Sequence, residues 1–354
     1  MTAFTVQTAA PLHLQIADHI ERRIVTGELH DGARLPNTVE LAMEYGVTPV
    51  TIQKSLQRLV SFDLIERVPR RGTIVKPHQT ANQIGVVFGI SPFLSHSTVY
   101  LRLIALFRET AFEFGLHLKF YCDLYAKESS GALYELHRDV AEKRLKALIA
   151  IAGTDALMDW LREQREIFWL EPPVVNYQHS IKTGLKYLVE RGYRRIQVVS
   201  MFPVDLVYED FQTGFAAEEA GCQDVAAEYN VDISLVRWGQ TEVDGYREGK
   251  ILCQNSNDLP EAIFVHHDIV TRGFLLAAIE SGMKIPSDIA LLTHANVGCE
   301  FASPLPLTKV IVDPSEMVIP SLRILINPST LVPGNHPTLP PLKANLFPGK
   351  SCGE

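Results

Sequence analysis

The chain has 354 residues, is 46% hydrophobic and 21% charged, and carries a formal net charge of -8; this balance excludes a disordered or fibrous protein and implies two or three domains. No apolar run reaches the ~18 residues of a membrane span, and the N-terminus lacks the regions of a signal peptide, so a cytoplasmic protein with no membrane partner is expected. The five cysteines, Cys122, Cys222, Cys253, Cys299 and Cys352, are scattered and never at zinc or redox spacing, and they read as reduced thiols.

In residues 12–24, Leu12, Ile16, Ile20 and Ile24 fall four apart, one stripe of a helix ended by Thr26 and Gly27. A second short helix is predicted up to Tyr45, with Asn37 as N-cap, Glu40 as its capping-box partner, and Leu41 and Tyr45 on the buried face. Gly46 permits a turn. Thr48 caps a third helix, Pro49 suits its first position, and Ile52, Leu56 and Leu59 face inward. That burial leaves Thr48, Thr51, Gln53, Lys54 and Arg58 outward or along the rim. Strands at 64–68 and 73–76 flank "PRRG", a hairpin whose tip carries Arg70, Arg71 and Gly72. The acidity of the chain lies elsewhere: residues 47–77 hold six bases and two acids, a balance of +4. Because charges beyond a Debye length of ~10 Å are screened, a local basic face attracts phosphates even on an acidic protein.

From "PLHLQIADHIERRIVTGEL" to "RVPRRGTIV" the segment resembles the GntR-type winged helix-turn-helix domain over its full length. The resemblance implies a double-stranded DNA operator as partner, read by a homodimer on a near-palindromic site. Val39, Pro49 and Gln53 stand where the family usually has arginine. What remains is Thr48 and Thr51 for phosphate or a thymine methyl, Lys54 for phosphate, and Gln53 for adenine in the major groove. Asn37 completes the helix set, and Arg70, Arg71 and Gly72 form the wing contacts. Weak reading of guanine is the consequence.

After a linker at 77–83, strand and helix patterns alternate twice over. "IGVVFGI", "LHLKFYC", "LKALIAIAG" and "PPVVNY" are predicted strands of a first round; "RRIQVVSM", "EAIFVHH" and "DIALLTHAN" belong to a second, each followed or preceded by helical periodicity. The fold class is α/β: a winged helix-turn-helix domain at 1–76 and a two-lobed Rossmann-like domain at 84–354 with a cleft between lobes. "GISPFLSH" has one glycine, which argues against a dinucleotide. No cofactor is expected.

The stretches "IGVVFGISPF", "LKYLVERGYRRIQVVS", "EAIFVHHDIVTRGFLLAAIESGMKIPSDIALLTHAN" and "FPGKSC" resemble the LacI/GalR-type effector domain, which shares the periplasmic-binding-protein fold. Joined to a GntR-type reader, this is the arrangement of arabinose-responsive repressors. The resemblance implies a small-molecule effector, a sugar or a related compound, and repression released by it. Sugar-responsive relatives have an arginine and an aspartate where this chain has Phe211 and Ala295. The expected pocket, Phe93, Phe211, His267, Asp268, His294 and Asn296, therefore takes something other than a plain hexose: a modified, phosphorylated or less hydroxylated sugar, or a non-sugar metabolite. "HHD" at 266–268 is not read as a metal site, because neighbours on a strand point to opposite faces and no further ligand cluster has the spacing. With no nucleophile elbow and no Walker loop, no catalytic residue is expected. The competing reading is a solute-binding or signalling module whose winged helix no longer reads DNA specifically and mediates protein contacts instead.

Overall fold

The computed structural model describes residues 11–25, 28–30, 32–61, 64–69, 71–76, 83–89, 98–122, 131–151, 155–202, 209–254, 258–333, 337 and 339–353. The chain packs as two compact units, Met1–Thr80 and Ala81–Glu354.

The first unit is built from α1 (Leu12–Val25), α2 (Thr38–Tyr45), α3 (Pro49–Ser61), β1 (Ile65–Val68) and β2 (Gly72–Val75). The stripe Ile16, Ile20 and Ile24 meets Leu41, Ile52, Leu56 and Leu59 in one core, closed from the hairpin side by Ile65 and Val75. Each buried Leu or Ile contributes ~1.5–3 kcal/mol. Asn37 and Glu40 form the capping box that starts α2, and Gly46, at φ +64, ends it in the left-handed region. β1 and β2 pair antiparallel from Ile65–Val75 to Val68–Gly72. Arg34 bridges Ile74, and the Leu35 N–H donates to the Thr73 carbonyl at 2.9 Å, so the chain before α2 adds a short third edge.

The second unit holds two sheets. In the first lobe, β3 (Gln83–Phe88), β4 (His117–Tyr121), β5 (Leu145–Ile151) and β6 (Phe168–Leu170) alternate with α4 (Thr98–Glu113), α5 (Gly131–Ala141) and α6 (Asp155–Glu163); the strand order is β4-β3-β5-β6, all parallel. The second lobe runs α7 (Tyr177–Glu190), β7 (Arg195–Ser200), α8 (Glu209–Tyr229), β8 (Asp232–Arg237), α9 (Glu242–Gln254), β9 (Ala262–Val265), α10 (Asp268–Glu280), β10 (Ala290–Asn296) and β11 (Thr308–Val312). There the order is β12-β11-β10-β9-β7-β8, parallel except for the antiparallel edge strand β12 (Asn345–Phe347). After β11 the chain crosses back: α11 (Ser315–Ile326) buries Val318, Leu322 and Leu325 against Ile84, Phe88 and Phe107 of the first lobe.

Three local differences from the sequence pattern have physical causes. "PPVVNY" is not a strand; the strand is the preceding Phe168–Leu170, and Val175 keeps only an isolated bridge to Leu342, because the two prolines remove ladder donors. The helix expected at 208–220 continues to Tyr229. β8 and α9 were not expected at all. β8 is a short edge strand whose Ile233 and Leu235 are only half-buried on the core between exposed Asp232 and Ser234, and α9 packs on α10 through Gly245 and Gly249, so α9 carries no apolar periodicity. Among the described residues no helix is long and apolar enough to cross a membrane.

Candidate functional sites

On the first unit, α3 turns outward one stripe that is polar except for its first residue, Val50. Val50, Gln53, Lys54 and Gln57 follow at i, i+3, i+4 and i+7 and all are exposed, opposite the buried Ile52, Leu56 and Leu59. The Thr48 hydroxyl accepts from the Thr51 N–H at 3.3 Å and lies 2.9 Å from the Thr51 hydroxyl, so the two threonines cap α3 together. The Asn37 side-chain oxygen accepts from the amides of Val39 and Glu40 at 2.9 and 3.0 Å. Asn37 therefore sets the angle of α2 as well as standing on the surface. Arg71 is exposed at the hairpin tip, while Arg70 lies outside the described residues.

Gly72 pairs with Val68 and has φ +91, with the Arg34 side chain packed where a β-carbon would sit, its Nε 3.0 Å from that position. Arg34 thus joins the wing, a base that the sequence pattern did not single out because it precedes α2. A cleft of about 510 Å³ lies between α3 and the wing, lined by Gln53, Gln57, Val60, Ile65, Glu66, Arg67 and Lys76. Gln57 is a second unforeseen member.

In the second unit, four of the six pocket residues converge at the carboxyl ends of β9 and β10, the edge where open α/β sheets hold ligands. His267 caps α10, and the Ile269 N–H is shared between His267 Nδ1 at 3.2 Å and Asp268 Oδ1 at 2.9 Å. The His267 ring lies 3.4 Å from the Asp268 carboxylate. Burial raises the proton affinity of Asp268, but His267 and the Ile269 amide outweigh it and hold the carboxyl below its usual range. His294 and Asn296 share one face of β10, both buried. Burial, helped by the neighbouring His266, pushes the His294 imidazole down to about 3, so the ring is neutral. Its Nδ1 is buried without a hydrogen-bond partner in the described structure. Phe93 lies outside the described residues; Phe211 is in the first turn of α8, with its side chain outside them.

Behind this floor is a polar network absent from the sequence reading. The Ser180 hydroxyl lies 2.7 Å from His266 Nε2, and His266 Nδ1 lies 2.5 Å from Glu218 Oε1. Glu218 also receives the Ser200 hydroxyl and, at 3.3 Å, the Met201 N–H. Ser180, His266 and Glu218 are each 0% exposed. A hydroxyl, an imidazole and a carboxylate in series is the order of a nucleophilic triad, but full burial denies a substrate access. The series instead ties α7, α8, β7 and the end of β9 together. The His266 and His294 rings meet edge to face at 5.2 Å, so the network holds the floor from behind. Nothing in "GFAAEEAGC" distinguishes Glu218 from its neighbour Glu219, so the pattern carried no signal for it.

Comparison with known proteins follows this division. Residues 12–75 match the model of bacterial regulatory proteins of the gntR family, and residues 185–352 match that of the periplasmic binding protein-like domain. The chain joins a GntR-type winged helix to a periplasmic-binding-protein-like domain. The mannosyl-D-glycerate transport/metabolism system repressor MngR of Escherichia coli K12 is 42% identical over 66 residues, 19% of this chain and 28% of that one. The repressor PurR of Histophilus somni 129Pt is 25% identical over 216 residues, 59% of this chain and 60% of that one. The chain thus spans between about a quarter and three fifths of the lengths of these curated relatives. YkvZ of Bacillus subtilis, an uncharacterized HTH-type transcriptional regulator, is 22% identical over 312 residues, 82% of this chain and 92% of that one. Among solved structures, a LacI family regulator from Lactobacillus casei with bound glucose superposes with TM-score 0.59 at 17% identity, covering 76% of this chain and 99% of that one. The Escherichia coli repressor ascG gives TM-score 0.59 at 15% identity, covering 76% and 98%. These likenesses establish the two-lobed fold of the periplasmic-binding-protein-like domain.

Proposed function

We propose that this protein is a cytoplasmic, ligand-responsive transcriptional repressor. It binds a near-palindromic DNA operator as a homodimer and is released by a small metabolite, a sugar or sugar-related compound. The observation that carries the reading is the pairing, on one chain, of an exposed and basic helix-plus-wing face with a polar floor at the strand ends of a two-lobed unit. Thr48, Thr51, Lys54, Arg70 and Arg71 take phosphates, Gln53 reads a base, Asn37 fixes α2, and Gly72 shapes the wing. His267, Asp268, His294 and Asn296, with Phe93 and Phe211, hold the effector. The mechanism requires an effector whose affinity differs between two arrangements of the lobes, because a ligand that binds both equally shifts nothing. No step calls for catalysis, a metal or a cofactor.

Selection of bound DNA from a random library, at low and at physiological salt, is the test. A palindromic motif whose affinity falls with a log-log salt slope of about -0.9 per phosphate neutralised supports the reading. The absence of any motif, with salt-independent association to another protein, would favour a solute-binding or signalling module.

A further inference from the structure

The DNA-facing side of the first unit has an unusual distribution of apolar surface. Val39, Met43 and Val50 are 52%, 76% and 62% exposed. Together with Val60, 39% exposed, they are the large hydrophobic side chains left open among the described residues of this unit, and all four lie on α2 and α3. Val39 and Met43 are one turn apart on α2. Val50 opens the outward stripe that continues with Gln53, Lys54 and Gln57. Val39 and Met43, exposed on one face of α2, are apolar surface of the kind that marks an interaction site.

Charge selects the occupant. Lys54 stands one turn from Val50 on α3, and Arg34, Arg67 and Arg71 are exposed on the same unit, in which residues 47–77 carry six bases and two acids. A polyanion fits that charge. In the major groove the one apolar group large enough to seat a side chain is the 5-methyl of thymine. The carboxamides of Gln53 and Gln57, four residues apart on the same face, match the paired donor and acceptor of adenine. The arginine of α3, Arg58, is half-buried in its last turn and stands off the exposed stripe, so that stripe carries no arginine, the side chain that most often reads guanine.

We propose that this face reads A·T base pairs by apolar contact, with Val50 and the α2 pair Val39 and Met43 seated on thymine methyl groups and Gln53 and Gln57 on adenine. The proposal rests on the DNA-binding reading above and adds the determinant of sequence. Val50 is the specificity residue of the thymine contact, and Lys54 anchors the stripe on phosphate.

The experiment replaces thymine by deoxyuridine in a duplex selected by the full-length protein, which removes only the methyl groups. Affinity is read by fluorescence anisotropy at fixed salt. Loss of one contacted methyl should weaken binding about fourfold, and in Val50→Ala the loss should shrink when the single replaced thymine is the one under Val50, while thymines elsewhere in the site keep their effect. Val50→Thr, which keeps a methyl group on the same β-carbon, should retain part of the difference. Because these are exposed positions, unchanged circular dichroism and melting will accompany each variant. Equal affinity of the native protein for both duplexes, or a selected motif dominated by G·C pairs under α3, overturns the proposal while leaving the regulator reading intact. Failure to bind any duplex overturns both. If Val39→Lys and Met43→Lys leave DNA affinity unchanged but alter the oligomeric state in sedimentation, the patch serves a second copy of the chain and the proposal falls.

Discussion

Replacing Gly273 by alanine should destabilise the second unit and disturb its ligand floor together. A β-carbon at Gly273 would fall on the Glu242 carbonyl oxygen and lie 2.5 Å from the Tyr246 nitrogen and 2.9 Å from the Glu242 carbonyl carbon. Gly245 faces the Val270 backbone in the same way, and a β-carbon at Gly249 would lie 2.9 Å from that of Ala277. α9 and α10 therefore pack backbone to backbone. Carbon contacts ordinarily need about 3.5–4.0 Å, so the helices must part by about 1 Å. A backbone carbonyl cannot rotate aside as a side chain can, which places the overpacking cost near the top of its ~1–3 kcal/mol range. Alanine returns ~1 kcal/mol of helix propensity, leaving a net loss of about 2 kcal/mol. For a unit that runs from Ala81 to Glu354 that lowers the melting temperature by about 3–4 °C. Calorimetry of the whole chain should show the second unit's transition shifted and the first unit's unchanged. An equal or higher melting temperature of the second unit would refute the backbone packing, since propensity alone would then be acting. As α10 begins at Asp268, its displacement should also weaken effector binding.

Asn37→Ala removes the side-chain acceptor of the capping box, while the backbone N–H at 37 can still donate to Glu40, and should cost the first unit about 1 kcal/mol, read as an earlier melt of that unit alone. The pH dependence of the second unit follows from His294. An unfolded chain protonates this imidazole below about pH 6.5, whereas the folded ring stays neutral down to about 3. The unfolded state binds more protons between those values, so stability should fall as pH drops through that window. Asp268, held below its usual range when folded, adds a loss of the same sign at more acid pH. Melting temperature against pH should therefore flatten in His294→Phe between about pH 6.5 and 4; an unaltered slope would show that another group is responsible.

The parts of the fold that announce themselves in sequence are those whose burial is one-sided. Ile16, Ile20 and Ile24 on α1, and Ile52, Leu56 and Leu59 on α3, repeat at the helical period because each helix has one dry face. α9 breaks the rule for a stated reason: its buried face is made by Gly245 and Gly249, which have no side chain to count as apolar. "PPVVNY" misleads in the opposite sense, being apolar but proline-led. For the sites, adjacency along the chain was readable, as with His267 and Asp268 at the start of α10. Proximity across the sheet was not. His294 meets His266 because β10 and β9 run in register through Thr293 and Val265, a pairing that no local pattern encodes.

The buried series Ser180, His266 and Glu218 allows two roles, and they make opposite predictions. If it holds the floor in place, His266→Phe, which keeps an aromatic ring but deletes both hydrogen bonds, should leave Glu218 and Ser180 each one partner short in the interior and lower stability by about 1–3 kcal/mol. The ring facing His294 would then have lost its anchors, and effector affinity should fall with stability. If instead Ser180 is a nucleophile, the protein should acylate with an activated ester, giving a burst of p-nitrophenol from p-nitrophenyl acetate that Ser180→Ala abolishes. Full burial of the hydroxyl favours the first outcome, because attack requires a carbonyl carbon within about 3–3.5 Å of it. A burst that depends on Ser180 would mean that the floor opens in solution far enough to admit substrate, and the mechanical role would have to be abandoned.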